Sequence, residues 1–201
     1  MFAQRKHLLH FALAIAATAA LTAPASHAQA PGDRLLAIAP QQSTMQYRIV
    51  HKLHEVEASS SDLEGKVLAK ADGTVQVMVR TKVAGFRSGD NNRDEHMQEV
   101  MEAASFPTVT FKGLAKISPP ASYPATLDVA VAGELEMHGK KFPETINVHV
   151  EMPSANKWRV TSAFDVSLDK YGVERPALLL VKIEDACHMK IDLSVASQGG
   201  T

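Results

Sequence analysis

Residues 88–111 read Ser88-Gly-Asp-Asn-Asn-Arg-Asp-Glu-His-Met-Gln-Glu-Val-Met-Glu-Ala-Ala-Ser-Phe-Pro-Thr-Val-Thr-Phe111, a helix-forming stretch inside a chain that otherwise alternates like β-structure. Asn92 suits a helix N-cap and Glu95 completes a capping-box pattern. Asp94 and Glu95 place negative charge at the positive end of the helix dipole. Met97, Val100, Met101 and Ala104 fall at helical spacing and predict one apolar stripe. Pro107 is expected to stop the helix, and Thr108, Val109, Thr110 and Phe111 to open a strand. A single amphipathic helix needs an apolar surface to cover, and its neighbours in sequence supply one.

On the N-terminal side, Met45, Tyr47 and Ile49 alternate with Gln46 and Arg48, the pattern of a half-buried strand. Val75, Val77 and Val79 alternate with polar and larger residues after Ala71-Asp72-Gly73, a hairpin turn signal. On the C-terminal side come Val109 and Phe111, a proline-rich loop from Pro119 to Pro124, then Leu127, Val129, Val131, Leu135 and Met137 with acids interleaved. His138-Gly139-Lys140-Lys141 reads as a turn. Ile146, Val148 and Val150 follow, then Trp158, Val160, Ser162, Phe164, Val166 and Leu168. Leu178–Ile183 and Met189–Val195 are the last two expected strands. The pattern predicts an all-β fold with one capping helix inserted mid-chain, either an antiparallel barrel of about eight strands or a sandwich. Such a barrel is wide enough inside to hold a small ligand. Only 5% of the residues are aromatic, so a valine-rich interior leaves space.

Arg5, Lys6 and His7 precede an apolar run from Leu8 to Leu21, and Ser26-His27-Ala28 supplies small residues at a cleavage site. Residues 1–28 are therefore expected to be a signal peptide, 29–42 a polar leader, 43–196 the barrel domain and 197–201 a tail. The apolar run is shorter than the ~20 residues needed to cross a bilayer. Cleavage would leave 173 residues, with 19 basic against 22 acidic side chains and a net charge of −3. That balance, without a basic block, argues against nucleic acid as a partner. Cys187 is the one cysteine, so no internal disulfide can form. Export from a cell with two membranes would place the protein in the periplasm.

Four segments carry a family resemblance: Ser43–His51 with Tyr47 and His51; Arg93-Asp94-Glu95-His96-Met97 with Phe106-Pro107-Thr-Val109-Thr-Phe111; Gly133–Gly139; and Tyr171-Gly172-Val173 with Pro176 and Ile183-Glu184-Asp185. In this order and spacing the chain resembles the YceI-like family of exported lipid-binding proteins. The resemblance implies a lipocalin-like barrel whose apolar cavity holds a polyisoprenoid tail, as in a quinone or a polyprenyl carrier. The chain departs from the family pattern at the aromatic-free Val56–Ser61, at Val100 and Met101, and at Lys140-Lys141.

A buried methylene contributes ~0.8 kcal/mol, so about ten of them give a gross ~8 kcal/mol before ordering costs, which brings micromolar affinity within reach. The lining expected for an isoprenoid or other long apolar molecule is Tyr47, Ile49, Val77, Val79, Phe111, Val129, Val131, Val148, Phe164 and Val166, with Met97 and Val100 from the helix. Brief membrane contact and pairing as a homodimer are compatible with that reading. A small amphipathic metabolite, favoured by Ser59-Ser60-Ser61 and an inward Ser162, is the alternative ligand. A filled core acting as an interaction module is the alternative class. His51 and His54 would lie on opposite faces of a continuing strand, and neither they nor Cys187-His188 have the companions a zinc or copper site needs. Arg93, Asp94 and His96 read as a hydrogen-bonded helix start. No phosphate loop, dinucleotide fingerprint or catalytic elbow is present, so the expectation is no catalytic residue, no metal and no cofactor.

Overall fold

The computed structural model describes residues 32–52, 54–178 and 181–197. The expected signal peptide and residues 198–201 of the expected tail lie outside them. In chain order the elements are β1 (Arg34–Ile38), β2 (Thr44–His51), β3 (His54–Ser60), β4 (Leu63–Ala69), β5 (Thr74–Lys82), α1 (Asn91–Val100), β6 (Thr108–Lys116) and β7 (Ala125–Met137). They continue with β8 (Lys140–Ser154), β9 (Lys157–Ser167), α2 (Leu168–Tyr171), β10 (Ala177–Leu178), β11 (Val181–Lys182) and β12 (Ala186–Ser197).

Strand order in the large sheet runs β1, β4, β5, β6, β7, β8, β9, β12, and β12 pairs back onto β1, so the sheet closes. Each of these pairings is antiparallel. β1 and β2 are two stretches of one strand, both paired with β12 and parted by a 3-10 turn at Pro40–Gln42. Pro40 has no N–H to give a ladder, which is why the pairing breaks there. Ser43 bridges the gap: its Oγ donates to Ala39 O at 2.8 Å and accepts from Ser194 N at 3.0 Å. β3 and β4 are likewise parted only by Ser61 and Asp62, and pair with β2 and β1. Among the described residues the barrel therefore has eight strands, each next to its neighbour in sequence.

The alternation in sequence becomes an inside and an outside. Along β7, Val131, Leu135 and Met137 are buried, whereas Asp128, Glu134 and the other charged positions face solvent to a greater degree. The turn between β4 and β5 depends on Gly73 at φ +83°, where a Cβ would lie 2.2 Å from Ile117 O. One end of the barrel is packed shut by Leu36, Leu63, Met152, Trp158 and Val195, with the Trp158 indole N–H donating to Ala155 O at 3.2 Å. The opposite end lies under α1 and the segment that follows β9.

Four expectations change. The stretch expected to be a polar leader contains β1, and the sheet begins at Arg34 instead of Ser43: Leu35 and Leu36 alternate out and in, and Leu36 is 0% exposed. Five residues were too few to reveal that period between Pro31 and Pro40. Helix α1 is capped by Asp90, not Asn92, because Asp90 keeps extended backbone angles and accepts from Arg93 N at 3.1 Å. Arg93 then occupies the third helical position, so no capping box forms with Glu95. The helix ends at Val100, ahead of Pro107, which places Ala104 in the following turn and shortens the apolar stripe.

Finally, the strand expected over Leu178–Ile183 is the short β10–β11 pair, separate from the barrel. It belongs to a strap running from α2 to Asp185. Arg175 holds that strap with a bidentate pair to Asp169 at 2.8 and 2.9 Å and a third bond to Ile183 O at 2.7 Å. Asp185 accepts from Asp169 N at 2.7 Å. Its carboxyl sits below the usual carboxylate range, mainly through a hydrogen bond from Ser167 and then through the Asp169 N–H.

Candidate ligand-binding cavity

Inside the barrel, beneath α1, lies a cavity of about 450 Å³. β2 contributes Tyr47 and Ile49, β5 Val79, β6 Phe111, β9 Phe164 and Val166, and α1 Met97 and Val100. These are eight of the twelve residues expected to line a ligand. The other four, Val77, Val129, Val131 and Val148, line a second cavity of about 90 Å³ nearer the packed end. The structure therefore brings the twelve into one tube but divides them between two chambers.

Several wall residues escape the periodicity argument. Phe86 follows a 3-10 turn, where no alternation exists, and it reaches the wall by packing on Tyr47 with ring centroids 5.3 Å apart. Cys187, Met189 and Ile191 of β12 also face the large cavity. Their alternation with His188 and Lys190 could have identified them. Burial pushes the Cys187 thiol up to about 12, with the Asp165 carboxylate adding to the effect. Its Sγ lies 3.8 Å from Met189 Sδ. The thiol is a neutral part of an apolar wall.

Tyr47 is raised to about 12, first by burial and then by the nearby Cys187 and Asp94. Its hydroxyl has no hydrogen-bond partner among the described residues and remains protonated, a donor at the edge of an otherwise apolar space. Around the mouth stand His51, His54, Arg93, His96 and Glu174. β2 turns into β3 immediately after His51, so His51 and His54 are cross-strand partners with ring centroids 5.3 Å apart. This corrects the opposite-face expectation, which assumed a continuing strand. His51 Nε2 lies 3.0 Å from Val181 O and so ties the hairpin to the strap. Among the described residues no group of three or more His, Cys, Asp or Glu side chains stands close enough to hold a metal ion.

The helix start divides its residues between two tasks. Asp94 is buried and accepts from Ser88 N and Ser88 Oγ, whereas Arg93 and His96 face the mouth, with His96 Nδ1 3.5 Å from Glu99. The sequence profile of the YceI-like domain matches residues 36–195. The chain belongs to the YceI-like family. Its barrel is similar to a polyisoprenoid binding domain from Saccharophagus degradans implicated in plant cell wall breakdown, at 16% identity and a TM-score of 0.66, over 81% of this chain and 98% of that one. It is also similar to BcnA of Burkholderia cenocepacia, at 18% identity and a TM-score of 0.64, over 80% and 99%. The YCEI protein of Campylobacter jejuni aligns at 14% identity and a TM-score of 0.56, over 75% and 90%. No curated protein matches the chain by sequence. Among the described residues of this YceI-like barrel no helix is long and apolar enough to cross a membrane.

Proposed function

We propose that this YceI-like chain is an exported carrier that holds a polyisoprenoid, of the quinone or polyprenyl kind, or a similar long apolar molecule. It catalyses no reaction on that ligand. The observation that carries the proposal is the large cavity: about 450 Å³, walled almost wholly by apolar side chains, in a barrel whose far end is packed around Trp158 and Met152. Such a space suits a chain whose only demand is removal from water. The Tyr47 hydroxyl supplies a donor for a carbonyl or hydroxyl oxygen at the ligand's head. The polyisoprenoid-binding domain with the same fold supports the ligand class. The signal-like N-terminus supports export to the periplasm, and loading or delivery there requires the mouth to touch a membrane briefly.

The amphipathic-metabolite alternative loses its polar contacts. Ser59, Ser60, Ser61 and Ser162 line neither cavity, and Ser162 Oγ instead donates to Asn147 O at 2.5 Å. Native mass spectrometry of protein purified from its own cell envelope, followed by organic extraction, tests the proposal. A copurified prenyl compound released into solvent is the expected result. A water-soluble adduct, or a barrel that takes up no apolar compound at all, would overturn it.

A further inference from the structure

The two chambers share four wall residues, Val79, Phe111, Ile146 and Ile191, from β5, β6, β8 and β12. These positions form a waist between the large cavity and the small one. Phe111 is the bulkiest of them. Its ring rests on Gly113 and Gly133, which are direct cross-strand partners on β6 and β7. A Cβ on Gly113 would lie 2.7 Å from Phe111 Cε1, and one on Gly133 2.8 Å from Cζ. Two paired glycines weaken a sheet and give it nothing to pack, so such a pair marks a close approach by another group. Here that group is the phenyl ring, and the missing side chains form the notch that holds it.

Resting on the carrier reading, we propose that Phe111, seated on the Gly113–Gly133 pair, sets the length of apolar chain the barrel accepts. The end of the chain stops against the ring, and the small chamber beyond remains outside its reach. Phe111 thus selects by length, whereas the valines of the large chamber bind any chain that fits.

Linear prenols of increasing length, from geraniol through farnesol and geranylgeraniol to solanesol, titrated into the full-length mature protein, test this. In the wild type, affinity rises with each isoprene unit and then levels off. Phe111→Ala moves that limit outward by at least one unit, with a gain of about tenfold or more for the first prenol beyond the wild-type limit. The shortest probe changes by less than about threefold, within the usual context dependence of one apolar contact. Gly113→Ala moves the limit inward, because the atoms nearest its Cβ belong to the Phe111 and Val131 side chains, which can shift. Gly133→Ala is unsuitable, since its Cβ would lie 2.3 Å from Lys112 O, a backbone atom. Phe111→Leu serves if Phe111→Ala does not fold. An identical length limit in the folded variants and the wild type overturns the proposal. If the wild type binds no prenol of any length, the carrier reading fails, and xenon-pressurised crystals still decide the waist. Two separate xenon sites in the wild type that merge in Phe111→Ala are expected, and an unchanged pair of sites overturns it.

Discussion

Asp94 accepts two hydrogen bonds from Ser88, at 2.8 Å from its N–H and 2.6 Å from its hydroxyl, although the Asp94 residue is only 5% exposed. This pair pins α1 across the barrel mouth from the loop that precedes it. The Ser88 hydroxyl is the main reason the carboxyl lies below its ordinary value of 3.8; the Ser88 N–H adds to the effect, and burial opposes it. Because the folded pKa is depressed, the unfolded chain binds the proton more readily. The stability from Asp94 is complete above about pH 5 and is lost as pH falls through the folded value. Asp94→Asn should cost about 1–3 kcal/mol near neutral pH. Urea unfolding should show the gap to wild type shrinking between pH 5 and 3, and a constant gap would contradict this account.

Leu36 lies in the short strand ahead of Pro40 and packs beside Leu63 and Val195. Leu36→Ala should cost about 2–5 kcal/mol, the range for a buried leucine in a filled core. Deleting residues 29–33 should leave the denaturation midpoint nearly unchanged, whereas deleting 29–42 should abolish cooperative unfolding. Equal behaviour of the two deletions would show that β1 is dispensable.

Val166 faces the large cavity and Val131 the small one. Val166 borders the 450 Å³ space, so Val166→Trp should shift stability by less than about 1 kcal/mol while displacing any extractable apolar ligand. Val131→Trp must push into packed walls and should cost about 1–3 kcal/mol. Chemical denaturation of both variants, with extraction of the first, checks the contrast. The reverse order of costs would mean that the two chambers have been misassigned.

Cys187, with its thiol at about 12 in place of 9.0, carries far less thiolate than a free cysteine. At pH 8 the native protein should react with an aromatic disulfide reagent about a thousandfold more slowly than in urea. The rate should climb roughly tenfold per pH unit. Native and denatured rates within a factor of ten of each other would rule out the buried neutral thiol.

Much of the barrel is legible in its side-chain period. Val129, Val131, Leu135 and Met137 each sit two residues or a multiple of two apart, and β7 follows them because a pleated strand sends alternate side chains to opposite faces. The helix was legible in composition but not in its limits. Asp90 and Asn92 are both good caps, and the choice between them depended on the Gly89 turn and on the burial of Asp94. The His51–His54 pairing was hidden for a related reason: a hairpin leaves little sequence signal when neither glycine nor asparagine stands between its strands.

Alternation and turn chemistry are local properties, and by themselves they determined that this chain forms antiparallel strands with one apolar face and one long helix set among them. How much of that interior stays empty is a property of side chains far apart in sequence. Trp158, Met152 and Leu36 converge to fill one end, Phe111 settles on two glycines at the waist, and Tyr47, Phe86 and Cys187 leave the other end hollow. Only tertiary structure decided this, because an inward valine has the same sequence signature whether it meets another side chain or an open space.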